Sequence, residues 1–254
     1  MPKMLLYFIL ATVLAQADFG DAVKNNKIYF LRSRGDNGEW CYCSSWQYGV
    51  DTNNIIGWKT IPDECELHVG RYMLGARYRE DSKVVTKEAY LYAKSYPLLG
   101  DGKDVWIFGT DEVALSNLPY YLKHGFGVKP YDSTSFHEWI LTENAPALPK
   151  SLKLYKRLLS LGFKIIFLSG RREYERSAVE NTLKIAGYRT WEQVIFKDPG
   201  YYGPARDYKS AERKKLEEAG YRIAGNIGDQ WSDLLGTNAG SRTFKLPNPM
   251  YYVS

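Results

Sequence analysis

Val105-Trp106-Ile107-Phe108-Gly109-Thr110-Asp111-Glu112-Val113 is the stretch that decides the fold. Its four leading apolar residues, two of them large aromatics, form a short uninterrupted run, the pattern of a strand buried on both faces of a parallel sheet. The run stops at Gly109, and an acid, Asp111, follows two residues later. Open α/β sheets place their ligand chemistry in loops that leave the carboxyl ends of such strands. Asp111 is therefore a candidate site residue from its position alone.

Downstream, the chain repeats one unit. A helix over Pro149–Leu161, with Leu152, Tyr155, Leu158 and Leu159 on one face, runs up to Gly162, and a strand over 164–168 follows and stops at Ser169-Gly170-Arg171. A second helix over 173–186 runs up to Gly187 and hands over to Val194-Ile195-Phe196. A third over 209–219 runs up to Gly220, before a strand over 221–227 that enters Gly228-Asp229. Each helix stops one residue before a glycine, where a left-handed cap is wanted. Helix and strand in alternation build a parallel, Rossmann-like α/β sheet with right-handed crossovers, and its loops converge on one edge.

Upstream of that sheet the pattern is helical, over 18–104. Pro62-Asp63-Glu64-Cys65 opens a helix with acids in its first turn, which suits the helix dipole, and puts Cys65, Val69, Tyr72 and Met73 on one face. A second helix is expected from Asp81-Ser82, burying Val85, Ala89 and Tyr92. Between the opening strand and Pro149, residues 116–148 show no strand pattern but carry His124, His137, Trp139 and several glycines and prolines. They read as a small cap insertion over the strand end, which either shields a site from water or serves as packing.

Length and composition set limits. With 254 residues, 44% hydrophobic and 15% aromatic, the chain has material for a large core and does not have a disordered composition. Residues 1–17 combine Lys3, an apolar run and Ala15-Gln16-Ala17, the pattern of a cleaved secretory signal peptide, and the run is too short to span a bilayer. Cleavage would remove Lys3 alone, lowering the net charge from +5 to +4. That mild excess is scattered along the chain without a basic stripe, so no nucleic-acid partner is expected, and no later segment predicts a membrane span.

In a secreted protein, a disulfide closing a loop of this size contributes roughly 3 kcal/mol. Cys43 with Cys65 is the preferred pair and Cys41 with Cys65 the rival. A zinc site would need a fourth ligand beside the three cysteines, with only His68 nearby, and is not expected. The chain contains no Asn-x-Ser/Thr sequon.

The strand exits carry the candidate chemistry. Ser169 offers a hydroxyl and neighbouring backbone N–H groups to a phosphate oxygen, and Lys209, at the start of the third helix, offers positive charge. Asp229 and Asp233, in Gly228-Asp229-Gln230-Trp231-Ser232-Asp233, offer carboxylates to a hard cation such as Mg²⁺, which takes oxygen ligands and retains waters. Each residue alone has a bland reading as a turn, a solvated lysine or a helix cap. Their common placement at strand exits and helix starts is the stronger signal.

From about residue 40 onward the sequence resembles the plant acid phosphatase and vegetative storage protein family, legume type, within the haloacid dehalogenase superfamily. The resemblance is carried by Ser116-Asn117-Leu118-Pro119-Tyr120-Tyr121, Leu168-Ser169-Gly170-Arg171, Gly228-Asp229-Gln230-Trp231-Ser232-Asp233 and Arg242-Thr243-Phe244-Lys245-Leu246-Pro247-Asn248-Pro249. It implies that Asp111 corresponds to the general acid/base, Ser169 to the phosphate-oxygen binder and Lys209 to the charge neutraliser. It further implies Mg²⁺ ligands from Asp229, the Asp111 backbone carbonyl and, directly or in support, Asp233. Cys43 and Cys65 match the family's N-terminal pair.

The superfamily's first motif reads Asp-x-Asp-x-Thr or Asp-x-Asp-x-Val. Asp111 and Val113 match it, but Gly109 stands where the resemblance puts the attacking aspartate. Losing a covalent nucleophile costs many orders of magnitude, about a millionfold in one serine protease. The resemblance thus implies an amino-acid reserve on a phosphatase scaffold, with Asp111 vestigial and Mg²⁺ binding weakened. A weak Mg-dependent acid phosphatase and a phosphate-ester-binding protein are the alternatives. A homodimer, or a heterodimer with a close homologue, and a vacuolar destination are implied in the same way.

Overall fold

The computed structural model describes residues 38–254, so the expected signal peptide and the first part of the helical segment lie outside the described residues. In chain order the elements are α1 (Gly38–Asp51), a 3₁₀ turn (Asp63–Cys65), α2 (Glu66–Leu74), α3 (Ala76–Ser95) and β1 (Asp104–Gly109). Next come α4 (Leu118–Lys123), a 3₁₀ turn (Gly125–Gly127), α5 (Ser133–Leu141), α6 (Pro149–Leu161) and β2 (Lys164–Arg172). A 3₁₀ turn (Glu173–Glu175), α7 (Arg176–Ile185), β3 (Gln193–Lys197) and α8 (Ala205–Glu218) follow, then β4 (Arg222–Gly228), α9 (Trp231–Leu234) and β5 (Thr243–Lys245).

The five strands lie in the order β3-β2-β1-β4-β5, with every neighbour parallel. β1 is the central strand, and each of its residues is buried. Its side chains alternate between two cores. Trp106 and Phe108 join Tyr155, Phe163, Phe167 and Tyr188 on one face, while Val105 and Ile107 join Ile166, Leu168, Tyr208 and Leu216 on the other. Helices cover both faces, which is why β1 reads as a continuous apolar run.

The glycines expected to end the helices all adopt positive φ: 103° at Gly162, 99° at Gly187 and 85° at Gly220. Two helix starts differ from expectation. α3 begins at Ala76, directly after Gly75, and not at Asp81-Ser82; it buries Tyr78, Ser82, Thr86, Ala89 and Ala93, with Val85 and Tyr92 half-buried. α8 begins at Ala205 behind Pro204, so Lys209 sits in its second turn and not at its start. In both cases the breaker residue sets the boundary.

A third core joins the upstream helices to the insertion and the tail, through Cys43, Trp46, Ile61, Cys65, Val69, Met73, Tyr121 and Met250. Within it Cys43 is bonded to Cys65, tying α1 to the turn before α2, and Cys41 lies exposed on α1. Residues Glu39–Ser254 form one compact unit. Among the described residues, no helix is long and apolar enough to cross a membrane.

Candidate functional site

Strand register assembles the site. Gly109 pairs with Leu168 and Phe108 with Ile227, so the exits of β1, β2 and β4 stand level at one edge of the sheet. Above them lies a cavity of about 580 Å³. Its floor is Gly109, Thr110, Asp111, Arg171, Lys209, Asp229 and Asp233; one wall comes from the insertion (Tyr131, Phe136, His137), and the tail adds Tyr251, Tyr252 and Val253. Residues of the 116–148 segment thus line the cavity at the strand ends.

Asp111 is held from several sides. The Arg171 Nε and Nη2 atoms donate to its Oδ1 at 2.9 and 2.6 Å, Nε reaches Oδ2 at 3.1 Å, and Asn117 Nδ2 donates to Oδ1 at 2.7 Å. Burial pushes this carboxyl up, but the Arg171 charge and hydrogen bonds, with those of Asn117 and Thr110, hold it below its ordinary value. Asp111 is thus an ionised, paired carboxylate. Asn117, fully buried, also accepts at Oδ1 from Trp139 of α5 (3.1 Å) and from Arg171 (3.2 Å), so this helix connects to the β1 exit through one amide.

Ser169 is fully buried beneath the floor, not facing the cavity. Its hydroxyl shares a 2.7 Å hydrogen bond with Thr110 and accepts the Arg171 N–H at 3.2 Å. Lys209 reaches the floor and is paired with Asp233 Oδ1, while the Gln230 N–H donates to Asp233 Oδ2 at 3.0 Å. On Asp229, both hydrogen bonds fall on Oδ2, from Asn248 (2.7 Å) and Gln230 Nε2 (2.8 Å). Burial and the neighbouring Asp233 push the Asp229 carboxyl up to about 6, against Asn248, Gln230 and Lys245.

Magnesium, the cation implied by the resemblance, can be tested against this donor set. Asp229 supplies a carboxylate, but Asp233 is committed to Lys209 and Asp111 to Arg171. Among the described residues, no three His, Cys, Asp or Glu side chains cluster closely enough to hold a metal ion. Among the described residues, Asp229 is the one of these three carboxylates without an ion pair.

Four participants escaped sequence reasoning as site residues: Arg171, Asn117, Glu112 and Lys197. Arg171 and Lys197 carry a usable signal, a cation at or just past a strand end. Glu112 carries none. It is fully buried with φ +47°, an uncommon backbone for a residue with a side chain, and its carboxylate accepts the Asn117 N–H. Burial pushes it up to about 8, assisted by Asp229 and Asp111 and opposed by the Asn117 N–H and Ser116.

The profile of the HAD superfamily, subfamily IIIB (acid phosphatase), matches residues 30–254. The chain belongs to this family. It is similar to a stem 31 kDa glycoprotein of Glycine max, 46% identical over 254 residues covering 99% of each chain. It is 49% identical to acid phosphatase 1 of Solanum lycopersicum over 83% of each chain. It is 41% identical to vegetative storage protein 1 of Arabidopsis thaliana, over 92% of this chain and 87% of that one. Among solved structures, the class C acid phosphatase of Bacillus anthracis superposes with a TM-score of 0.59 at 22% identity, over 74% of this chain and 85% of that one; the likeness is one of fold. The sheet and the strand-end cavity described above are thus those of a subfamily IIIB member.

Proposed function

We propose that this subfamily IIIB chain is a vegetative storage protein, an amino-acid reserve built on an acid phosphatase scaffold that has lost its nucleophile. One observation carries the reading. Gly109 ends the central strand without a side chain, on the floor of the cavity, at the position where the resemblance puts the attacking aspartate. Asp111 does not replace it, because Arg171 already holds that carboxylate. Relatives named as storage proteins support the reading, and the relative named as an acid phosphatase supports the scaffold.

A phosphate-ester-binding role is compatible with storage, and the cationic floor and walls (Lys209, Arg172, Lys197) favour it as a second reading. On that reading Ser169 acts through Thr110 and the Arg171 N–H, bracing the β2 exit, and Lys209 meets the anion. Any Mg²⁺ would be held weakly, by Asp229 and the Asp111 backbone carbonyl with Asp233 in support. We further infer entry into the secretory pathway, a vacuolar destination, and pairing as a homodimer or with a close homologue.

The test is a variant series assayed for Mg-dependent hydrolysis of a phosphate monoester at acid pH. A Cβ at Gly109 would lie 2.9 Å from Val113 Cγ2, so an aspartate there must displace Val113. Gly109→Asp should nevertheless gain activity over wild type, since the family motif itself pairs an aspartate at this position with a valine four residues on, and Val113→Ala beside it should not be needed for that gain. Wild-type hydrolysis that Asp111→Asn abolishes would make the protein an enzyme and end the storage-only reading.

A further inference from the structure

A second cavity, of about 810 Å³, is lined by residues of α1, α2, α3, α9 and β5 and shares no lining residue with the strand-end cavity. Two opposite charges face it: Asp51, the last residue of α1, and Lys245, the last residue of β5. Each is the largest opposite charge acting on the other, with Asp229 and Asp233 adding to the pull on Lys245. Even so, neither side chain takes part in an ion pair among the described residues.

Their hydrogen bonds are also incomplete. Gln47 Nε2 donates to Asp51 Oδ2 at a long 3.4 Å, while the buried Oδ1 has no partner among the described residues. The Lys245 ammonium donates to the Leu246 carbonyl at 2.8 Å and stands 5.9 Å from the centre of the Trp231 ring, so two of its three donors are unused. The indole N–H of Trp231, which also lines the cavity, is buried without a partner. Burial pushes the Asp51 carboxyl up and the Lys245 amine down, against their mutual attraction, so both charges are held at a cost.

The charge pattern selects the ligand. A simple anion would meet Lys245 but face Asp51 and Asp81, and a simple cation would meet the acids but face Lys245. Asp81 is already engaged by the Tyr72 hydroxyl (3.0 Å) and Arg77 Nε (3.1 Å), which leaves Asp51 as the carboxylate on offer. A molecule carrying both charges close together satisfies Asp51 and Lys245 at once and adds no net charge to the site. Around them Tyr48, Tyr72, Val85, Trp231 and Pro247 supply apolar surface, and the volume is that of a small-molecule pocket.

We propose that this cavity binds a free α-amino acid with an apolar or aromatic side chain, its ammonium on Asp51 and its carboxylate on Lys245. The site does not involve Gly109 and stands whether or not the strand-end cavity binds phosphate esters. The test is calorimetric titration of the full chain with L-phenylalanine, L-leucine, N-acetyl-L-phenylalanine, which lacks the ammonium, and 2-phenylethylamine, which lacks the carboxylate. Wild type should bind L-phenylalanine about tenfold more tightly than either truncated analogue, the scale of one charge-assisted hydrogen bond. Asp51→Asn should lose about tenfold for L-phenylalanine but not for N-acetyl-L-phenylalanine, and Lys245→Met about tenfold for L-phenylalanine but not for 2-phenylethylamine. Misfolding would not produce that split. Wild type that binds neither amino acid at millimolar concentration, or that binds the truncated analogues as tightly as L-phenylalanine, would overturn the proposal. So would an Asp51→Asn variant that binds L-phenylalanine as wild type does.

Discussion

Arg171 and Asp111 grip each other across 60 positions of sequence, and this pair fixes the chemical state of the β1 exit. Arg171 is 4% exposed and Asp111 22%, so neither charge is well solvated. Removing one partner strands the other. Arg171→Ala should lower unfolding free energy by about 3 kcal/mol, and Arg171→Lys should recover only part, since a lysine cannot reproduce the fork of the guanidinium. Urea denaturation measures both; an Arg171→Ala variant as stable as wild type would show that the pair does not organise the loop. Sequence alone marks Asp111, Asp229 and Asp233 because strand exits are where ligands bind, and Lys209 as a charge near a helix start. It did not mark the partners of these groups, Arg171 and Asn117, because pairing across the sheet edge leaves no local spacing to read. Ser169 was marked for its hydroxyl, but burial beneath Thr110 turned it inward.

At the scale of elements, four of the five strands were legible because each apolar run ended at a glycine or polar stop; β5, three residues with a single buried side chain, carries no such run. Helix starts were less so. Ala205 to Tyr208 carry no strong periodicity, and only Pro204 marks where α8 begins. The packing of β1 on β4 was not legible at all. The register slips between Val105 and Trp106, where β4 advances from Ile223 to Gly225, and a Cβ at Gly225 would lie 2.5 Å from two carbons of the Trp106 ring. Trp106 is fully buried against Phe163 and Phe244 and has nowhere to retreat. Gly225→Ala should therefore destabilise the protein by about 1–3 kcal/mol, the ordinary cost of overpacking. A thermal melt matching wild type would mean that the indole ring yields.

For the whole molecule, buried acids set the response to pH. Glu112 is pushed up to about 8 from an ordinary 4.5, and Asp229 to about 6 from 3.8. Both are raised in the folded state, so both favour the protonated form there. Their contribution to stability is fully present below the ordinary carboxylate range and is lost as pH rises through about 6 and then about 8. Asp111 is lowered, so its contribution is lost only when pH falls below its ordinary 3.8. The melting temperature should accordingly fall between about pH 4 and about pH 8, and Glu112→Gln should flatten the upper part of that decline. A melting temperature that rises over this interval would contradict the burial of these acids.

The central claim concerns a missing side chain, and turnover by the unmodified protein tests it most directly. Purified wild-type chain should release no phosphate above background from a phosphate monoester at acid pH, with or without added Mg²⁺. Brisk, metal-dependent release that Asp111→Asn eliminates would show that the site works without a carboxylate at position 109, and would contradict the account.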